Sequence, residues 1–156
     1  MERYWICSNF FLLYSMKPKI IKGQFYSDSR GALFYNNDFD ASEIKRIYVI
    51  ENVNTDFDRA WQGHKIEQRW FSAIQGSFKI KLVAIDNWDN PSKDINPTEY
   101  ILESNQLDIL EVPKGFANSI QSLEPGSKLL VMANYFLGEI KDEYRYADDY
   151  FEKKQG

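Results

Sequence analysis

His64 is the only histidine in this 156-residue chain. It lies in the run Arg59-Ala60-Trp61-Gln62-Gly63-His64-Lys65. A neutral imidazole titrates near working pH, so His64 is the best candidate here for a group that takes up a proton. Gln62 cannot take up a proton, and two residues before His64 it can serve only as a hydrogen-bonding partner. Arg59 carries a planar guanidinium suited to bidentate recognition of a pyrophosphate; its alternative is a surface ion pair with Asp56 or Asp58. Trp61 and Trp70 are wide enough to stack on a base or sugar, though large aromatics on strands also build cores. A metal site needs about three or four converging ligands. The candidates Gln62, His64, Glu67 or Gln68, and Asn118 offer a single imidazole and several amides, so no metal is expected. There is no glycine-rich phosphate loop, Ser-His-Asp arrangement or paired-cysteine motif.

Strands must position these residues. Ile44 to Val53 reads as a strand that presents Tyr48. Trp70 to Ile74, a turn at Gln75-Gly76-Ser77, and Phe78 to Ile85 read as a hairpin. In its second arm Phe78, Ile80, Leu82 and Ala84 alternate with Lys79, Lys81 and Val83. The two lysines face either inward toward an anionic ligand or outward to solvent. Asp86 to Pro97 is a loop rich in Asp, Asn and Pro. Tyr100 to Leu102 and Asp108 to Val112 follow, then the sharp turn Pro113-Lys114-Gly115. Asn118 to Leu123, the turn Glu124-Pro125-Gly126, and Lys128 to Tyr135 read as another hairpin. From Glu139 onward the tail is helical or irregular. About ten short strands with little helix point to an all-β barrel.

Composition agrees. The chain carries 10 Tyr, 11 Phe and 4 Trp, a load that suits pleated surfaces. Its length suffices for one packed domain without staples. A net charge of −4 argues against nucleic acid as partner, since a nucleic-acid binder normally shows a basic face. Cys7 is the single cysteine, which excludes an intramolecular disulfide and fits a reducing cytoplasm. The apolar stretch from Trp5 to Tyr14 is too short to span a bilayer and poor as a signal peptide. Residues 1–15 therefore read as an extension or extra edge strand, and 16–156 as one domain.

Five ordered stretches resemble the cupin superfamily: Arg46-Ile47-Tyr48, Arg59 to Lys65, Gln75 to Leu82, Pro113-Lys114-Gly115-Phe116-Ala117-Asn118, and Ala133-Asn134-Tyr135-Phe136. Within it the chain is most similar to the WxcM-like dTDP-sugar 3,4-ketoisomerases and the dTDP-4-dehydrorhamnose 3,5-epimerases. The ketoisomerase pattern Arg-Gly-x-His-x-His-Lys, a strand and x-Gly-Ser is matched at Arg59, His64, Lys65 and Gly76. The resemblance covers more than half the chain. Three positions depart from the family pattern: the first histidine is Gln62, the histidine ending Pro-x-Gly-Phe-Ala-His is Asn118, and the epimerases' tyrosine falls near Leu130 or Val131.

The resemblance implies a cupin (jelly-roll) barrel and an isomerase that enolises a dTDP-4-keto-6-deoxyhexose in deoxysugar and polysaccharide biosynthesis, without a cofactor. Such chemistry needs a base beside the ketone and a group that steadies the enolate oxygen. His64 is the implied base and Tyr48 the oxyanion or proton donor. Arg59, Gln62, Asn118, Trp70 and Tyr135 are the implied substrate contacts. The alternative is a binding cupin that keeps the sugar-nucleotide pocket and has lost catalysis. A cytoplasmic homodimer is expected, with no membrane or nucleic-acid partner; the N-terminal stretch could supply an exchanged edge strand.

Overall fold

The computed structural model describes residues 17–153, so the expectation for residues 1–15 lies outside the described residues. Alternating apolar runs become two five-stranded antiparallel sheets. The first has the order β1 (Lys19–Ile21), β9 (Ile109–Val112), β6 (Arg69–Gln75), β11 (Lys128–Ala133) and β4 (Arg46–Ile50). The second has the order β12 (Tyr144–Arg145), β5 (Asp58–His64), β10 (Phe116–Ser122), β7 (Ser77–Ala84) and β8 (Thr98–Glu103). A separate hairpin joins β2 (Gln24–Asp28) to β3 (Gly31–Tyr35). No helix occurs among the described residues. The all-β cupin class expected from the sequence is the class observed.

The period-2 pattern places the core between the sheets. Phe78, Ile80 and Leu82 of β7 are buried against Phe71, Leu102, Leu110, Ile120, Leu129 and Val131. Burying one such side chain contributes about 1.5–3 kcal/mol. The intervening Lys79 and Lys81 face outward, and Lys81 Nζ lies 3.5 Å from Asp58 Oδ2. Ala84, placed by alternation with Phe78, Ile80 and Leu82, is exposed where the strand ends, and Val83, placed with the lysines, is buried against Trp61, Ala117 and Phe151.

Two expected hairpins are not hairpins. β6 and β7 belong to different sheets, as do β10 and β11; each tight turn carries the chain across the barrel instead of back along one sheet. The two crossings pack on each other. Gly76 has φ +67°, and a Cβ there would lie 2.1 Å from Ser127 Oγ. That hydroxyl accepts from Ser77 N at 3.1 Å and donates to Glu124 O at 2.8 Å. Alternation shows that a strand has one buried face, and it is blind to which sheet the strand joins.

The tail is a strap of turns with one short strand. β12 pairs with β5 at Tyr144↔Gly63 and Arg145↔Gln62. Beyond it Phe151, 1% exposed, packs edge-on against Trp61 at 5.1 Å. Trp61 Nε1 donates to Asp148 O at 3.1 Å, and Tyr150 Oη donates to Pro91 O at 2.6 Å. Glycine is required where the strap meets β5: a Cβ on Gly63 would approach the Trp88 ring to 2.8 Å. The strap thus runs along the strand that carries Gln62 and His64.

Candidate functional site

A cavity of about 670 Å³ opens at one end of the barrel, between the two sheets. One wall comes from the first sheet: Arg46 and Tyr48 of β4, Arg69 of β6, and Glu67 just before β6. The other comes from β5 and the strap: Gln62, His64, Asp142 and Glu143. Phe136, Leu137 and Ile140 line the space between them. Residues i and i+2 on a strand share a face. Arg46 with Tyr48, and Gln62 with His64, therefore reach the cavity as pairs.

His64 is buried, and its Nδ1 lies 2.8 Å from the backbone oxygen of Asp142. A carbonyl only accepts, so Nδ1 carries the proton and donates. Nε2 is then a lone-pair acceptor, and it has no hydrogen-bond partner in the protein. Burial pushes the imidazole pKa down to about 4; the nearby Arg69 guanidinium adds to this, while Glu67 and Asp142 oppose it. The ring is therefore neutral at pH 7, which a proton acceptor requires.

Asp142 also builds the loop after His64. Its carboxylate accepts from Lys65 N at 2.9 Å, Ile66 N at 2.8 Å and Glu67 N at 2.7 Å. One residue on the strap thus orients the imidazole through its backbone and ties down the following turn through its side chain.

On the facing wall, Arg69 Nη1 donates to the Tyr48 hydroxyl oxygen at 2.8 Å. Arg69 Nε donates to Glu67 Oε1 at 2.6 Å. The Arg46 and Arg69 guanidiniums lie 5.2 and 5.9 Å from the Tyr48 ring centre, a cation–π arrangement. Burial raises the Tyr48 pKa above the usual phenol value against the pull of both arginines. Tyr48 is thus a protonated phenol whose oxygen already accepts a bond, which leaves its own proton to donate. Arg46 Nε is buried without a hydrogen-bond partner in the protein.

The structure brings His64, Tyr48 and Gln62 to one cavity, as the sequence suggested. Asn118 is buried behind it, beside a small void it shares with His64, Glu67 and Arg69. Three other candidates lie away from the cavity lining. Trp70 points to the outer face of its sheet and packs with Ile109, Met132 and Phe39. Tyr135 lies beside Lys45, whose Nζ is 5.8 Å from the ring centre. Arg59 is exposed, with Nε 3.4 Å from Asn52 Oδ1 and its guanidinium over Phe57; its charge nonetheless reaches Tyr48. Neither Asp56 nor Asp58 forms the alternative ion pair with it: Asp58 meets Lys81.

Sequence reasoning missed the arginines that do line the cavity. Arg46 had a signal, two residues before Tyr48 on one strand; Arg69 had none beyond the next strand's alternation. Asp142 and Glu143 had no local signal, because only the strap's return to β5 places them here. No group of three or more His, Cys, Asp or Glu side chains able to hold a metal ion occurs among the described residues. The cavity donors do not fit a metal, with one imidazole and with carboxylates already engaged by backbone or arginine.

Comparisons with known proteins bear on the family and the fold. No curated protein matches the chain. Among solved structures, a 3,4-ketoisomerase from Helicobacter canadensis is 27% identical, with a TM-score of 0.65, over 87% of this chain and 96% of that one. The ketoisomerase QdtA from Thermoanaerobacterium thermosaccharolyticum, in complex with TDP, shares the fold at 24% identity and TM-score 0.65, over 86% and 91% of the two chains. A dTDP-4-dehydrorhamnose 3,5-epimerase from Bacillus anthracis shares it at 17% identity and TM-score 0.65, over 88% and 80%. The family model described as "FdtA: WxcM-like, C-terminal" matches residues 16–155. With a match across nearly its whole length, the chain belongs to the WxcM-like, C-terminal family.

Proposed function

We propose that this protein is an isomerase that enolises a dTDP-linked 4-keto-6-deoxyhexose, moving the ketone between adjacent carbons. The observation that carries this reading is the neutral His64 imidazole, which lines the same cavity as Tyr48 and whose buried Nε2 has no hydrogen-bond partner in the protein. Nε2 takes the proton from the carbon beside the ketone, and the electron pair moves onto the ketone oxygen. Tyr48 donates to that oxygen, with Arg69 supporting the phenol from behind. That proton returns from His64 to the former ketone carbon, whose oxygen keeps the proton from Tyr48 as a hydroxyl. The carbon first deprotonated gives up its own hydroxyl proton to the Tyr48 phenolate, which completes a ketone shift.

Several features favour ketone transfer over epimerisation. A relative at 27% identity is a 3,4-ketoisomerase, and a variant of QdtA, which shares the fold, is in complex with TDP-4-keto-6-deoxyglucose. At the position of the epimerases' tyrosine, Val131 is fully buried in the core and Leu130 cannot donate a proton. The non-catalytic alternative requires a cavity without a base, and His64 supplies one. No cofactor is needed for this chemistry. Arg46, whose Nε has no hydrogen-bond partner in the protein, is the cavity cation proposed for the diphosphate.

Incubation in D2O with TDP-4-keto-6-deoxyglucose tests this by NMR. Deuterium entering beside the ketone, and lost in His64→Ala, supports the reading; saturable binding without exchange sinks the catalytic part and leaves a binding cupin.

The expected homodimer is part of the same proposal, as is work in the cytoplasm with a nucleotide-linked substrate. No helix among the described residues is long and apolar enough to cross a membrane. The β2–β3 hairpin pairs with neither sheet and exposes Phe25, Tyr26, Leu33 and Phe34 at 45–60%. Strand β4 ends its sheet with Ile47 and Val49 exposed. An apolar hairpin and an open apolar edge on one chain suit a second copy. Light scattering should give twice the chain mass for wild type and one chain mass for Phe25→Ser/Phe34→Ser; a wild-type monomer overturns the dimer.

A further inference from the structure

Gln62 stands where the ketoisomerase pattern has its first histidine, and the structure shows what holds it. Its Nε2 donates to Glu143 Oε1 at 2.8 Å. Arg145 Nη2 donates to the same carboxylate oxygen. Both Gln62 and Glu143 line the cavity. A carboxylate offers acceptors only. The amide cannot turn over without setting two oxygens against each other, so the Gln62 carbonyl is directed away from Glu143.

We propose that Gln62, locked by Glu143, is a specificity-determining residue that reads a sugar hydroxyl through its carbonyl oxygen. The inference rests on the sugar-nucleotide reading above and deepens it. A keto sugar linked to a nucleotide offers hydroxyl donors on its ring, while its ketone, ring oxygen, methyl group and phosphates only accept or are apolar. A carbonyl of fixed direction therefore accepts a hydroxyl and rejects each of the others. An imidazole at this place could donate or accept and could exchange a proton; the free end of the locked amide only accepts and exchanges none. Gln62 and His64 lie two residues apart on β5, about 6.6 Å along a strand at its usual rise. One ring can span both, so the hydroxyl read by Gln62 sets which carbon is presented to Nε2.

Glu143 is a positioning residue, because it acts through Gln62. Its backbone lies beside β12, and its half-exposed side chain can be changed without opening the core. Glu143→Gln keeps the size but supplies both a donor and an acceptor, which frees the Gln62 amide to flip. Gln62→Leu removes the acceptor outright.

The test is calorimetric titration of TDP, TDP-6-deoxyglucose and a series of its sugar-ring deoxy analogues against wild type and both variants. In wild type, removing one particular hydroxyl should weaken binding about tenfold, the loss expected for one hydrogen bond to a site built for it. In Gln62→Leu and Glu143→Gln that penalty should fall below about threefold, while TDP binds all three proteins alike. With TDP-4-keto-6-deoxyglucose, the Glu143→Gln effect should fall more on KM than on kcat. If the deoxy penalty persists in both variants, or no hydroxyl matters in wild type although the parent sugar binds, the inference is overturned while His64 keeps its role. If wild type binds none of these compounds, the sugar-nucleotide reading falls with it.

Discussion

The two walls of the cavity hold their charges differently. On the β4–β6 wall the groups are tied to one another, apart from Arg46 Nε: Arg69 bonds both Glu67 and Tyr48, and Arg46 lies 3.7 Å from Glu67. On the β5 wall the carboxylates are spent on backbone and amide, and the imidazole is left with an open nitrogen. A tied network makes a stiff electrostatic background, and each wall leaves one buried nitrogen without a protein partner, Arg46 Nε on one and His64 Nε2 on the other. On the proposed mechanism, one wall stabilises charge and the other moves a proton.

The sharpest way to break this division is on the β5 wall. His64→Ala should lower kcat by roughly 10²–10⁴-fold, the usual contribution of a positioned base, with little change in the affinity for TDP measured by titration. A loss under about tenfold would mean the proton moves elsewhere.

Tyr48→Phe addresses the opposite wall. It removes the proposed donor to the enolate oxygen and takes the acceptor from Arg69, so a fall in kcat of roughly 10²-fold is expected. Steady-state kinetics should show it with KM nearly unchanged; an effect confined to KM would make Tyr48 a binding residue only.

Asp142 joins the strap to the reactive wall. In Asp142→Ala three backbone N–H groups lose their acceptor, one of them at buried Glu67, and the unfolding free energy should drop by about 1–3 kcal/mol. Denaturant titration would reveal this, and Asp142→Asn, which keeps one oxygen, should lose less. Equal losses in the two variants would show that the carboxylate geometry is not what matters.

The smallest expected effect lies in pH. The His64 pKa is lowered to about 4 in the fold, from about 6.5 in the unfolded chain. The unfolded chain therefore binds the extra proton first. The contribution from a neutral His64 is full above pH 6.5 and is lost as pH falls from there to about 4. Likewise kcat/KM should be flat near neutrality and fall only as pH drops toward 4. A base limb near 6.5 in the rate profile would contradict the buried, Arg69-facing environment of the ring.

Particular residues show how far the sequence could be read. Phe78, Ile80 and Leu82 were legible as core because alternation is a property of one strand. His64 was legible because the single histidine falls in the run Arg59 to Lys65 that resembles the family pattern; by itself it reads equally as a barrel-interior histidine satisfied by its neighbours. The crossing at Gly76 was not, since a tight turn serves a hairpin and a sheet-to-sheet crossing equally well. Trp70 was assigned to the ligand for its size, yet size alone does not tell which face of a strand a ring occupies.

By itself the sequence determined the all-β class, most strands from Ile44 to Tyr135, the buried alternation of Phe78, Ile80 and Leu82, and the candidacy of His64, Tyr48 and Gln62. These rest on local chemistry and on a period of two residues, which neighbours along the chain suffice to set. Only the tertiary structure decided that Asp142 and Glu143, about 80 residues along the chain from Gln62 and His64, orient both side chains, and that Arg69 in place of Arg59 faces the reactive ring. Those choices depend on the strap folding back onto β5, a long-range pairing whose geometry no local run of residues encodes.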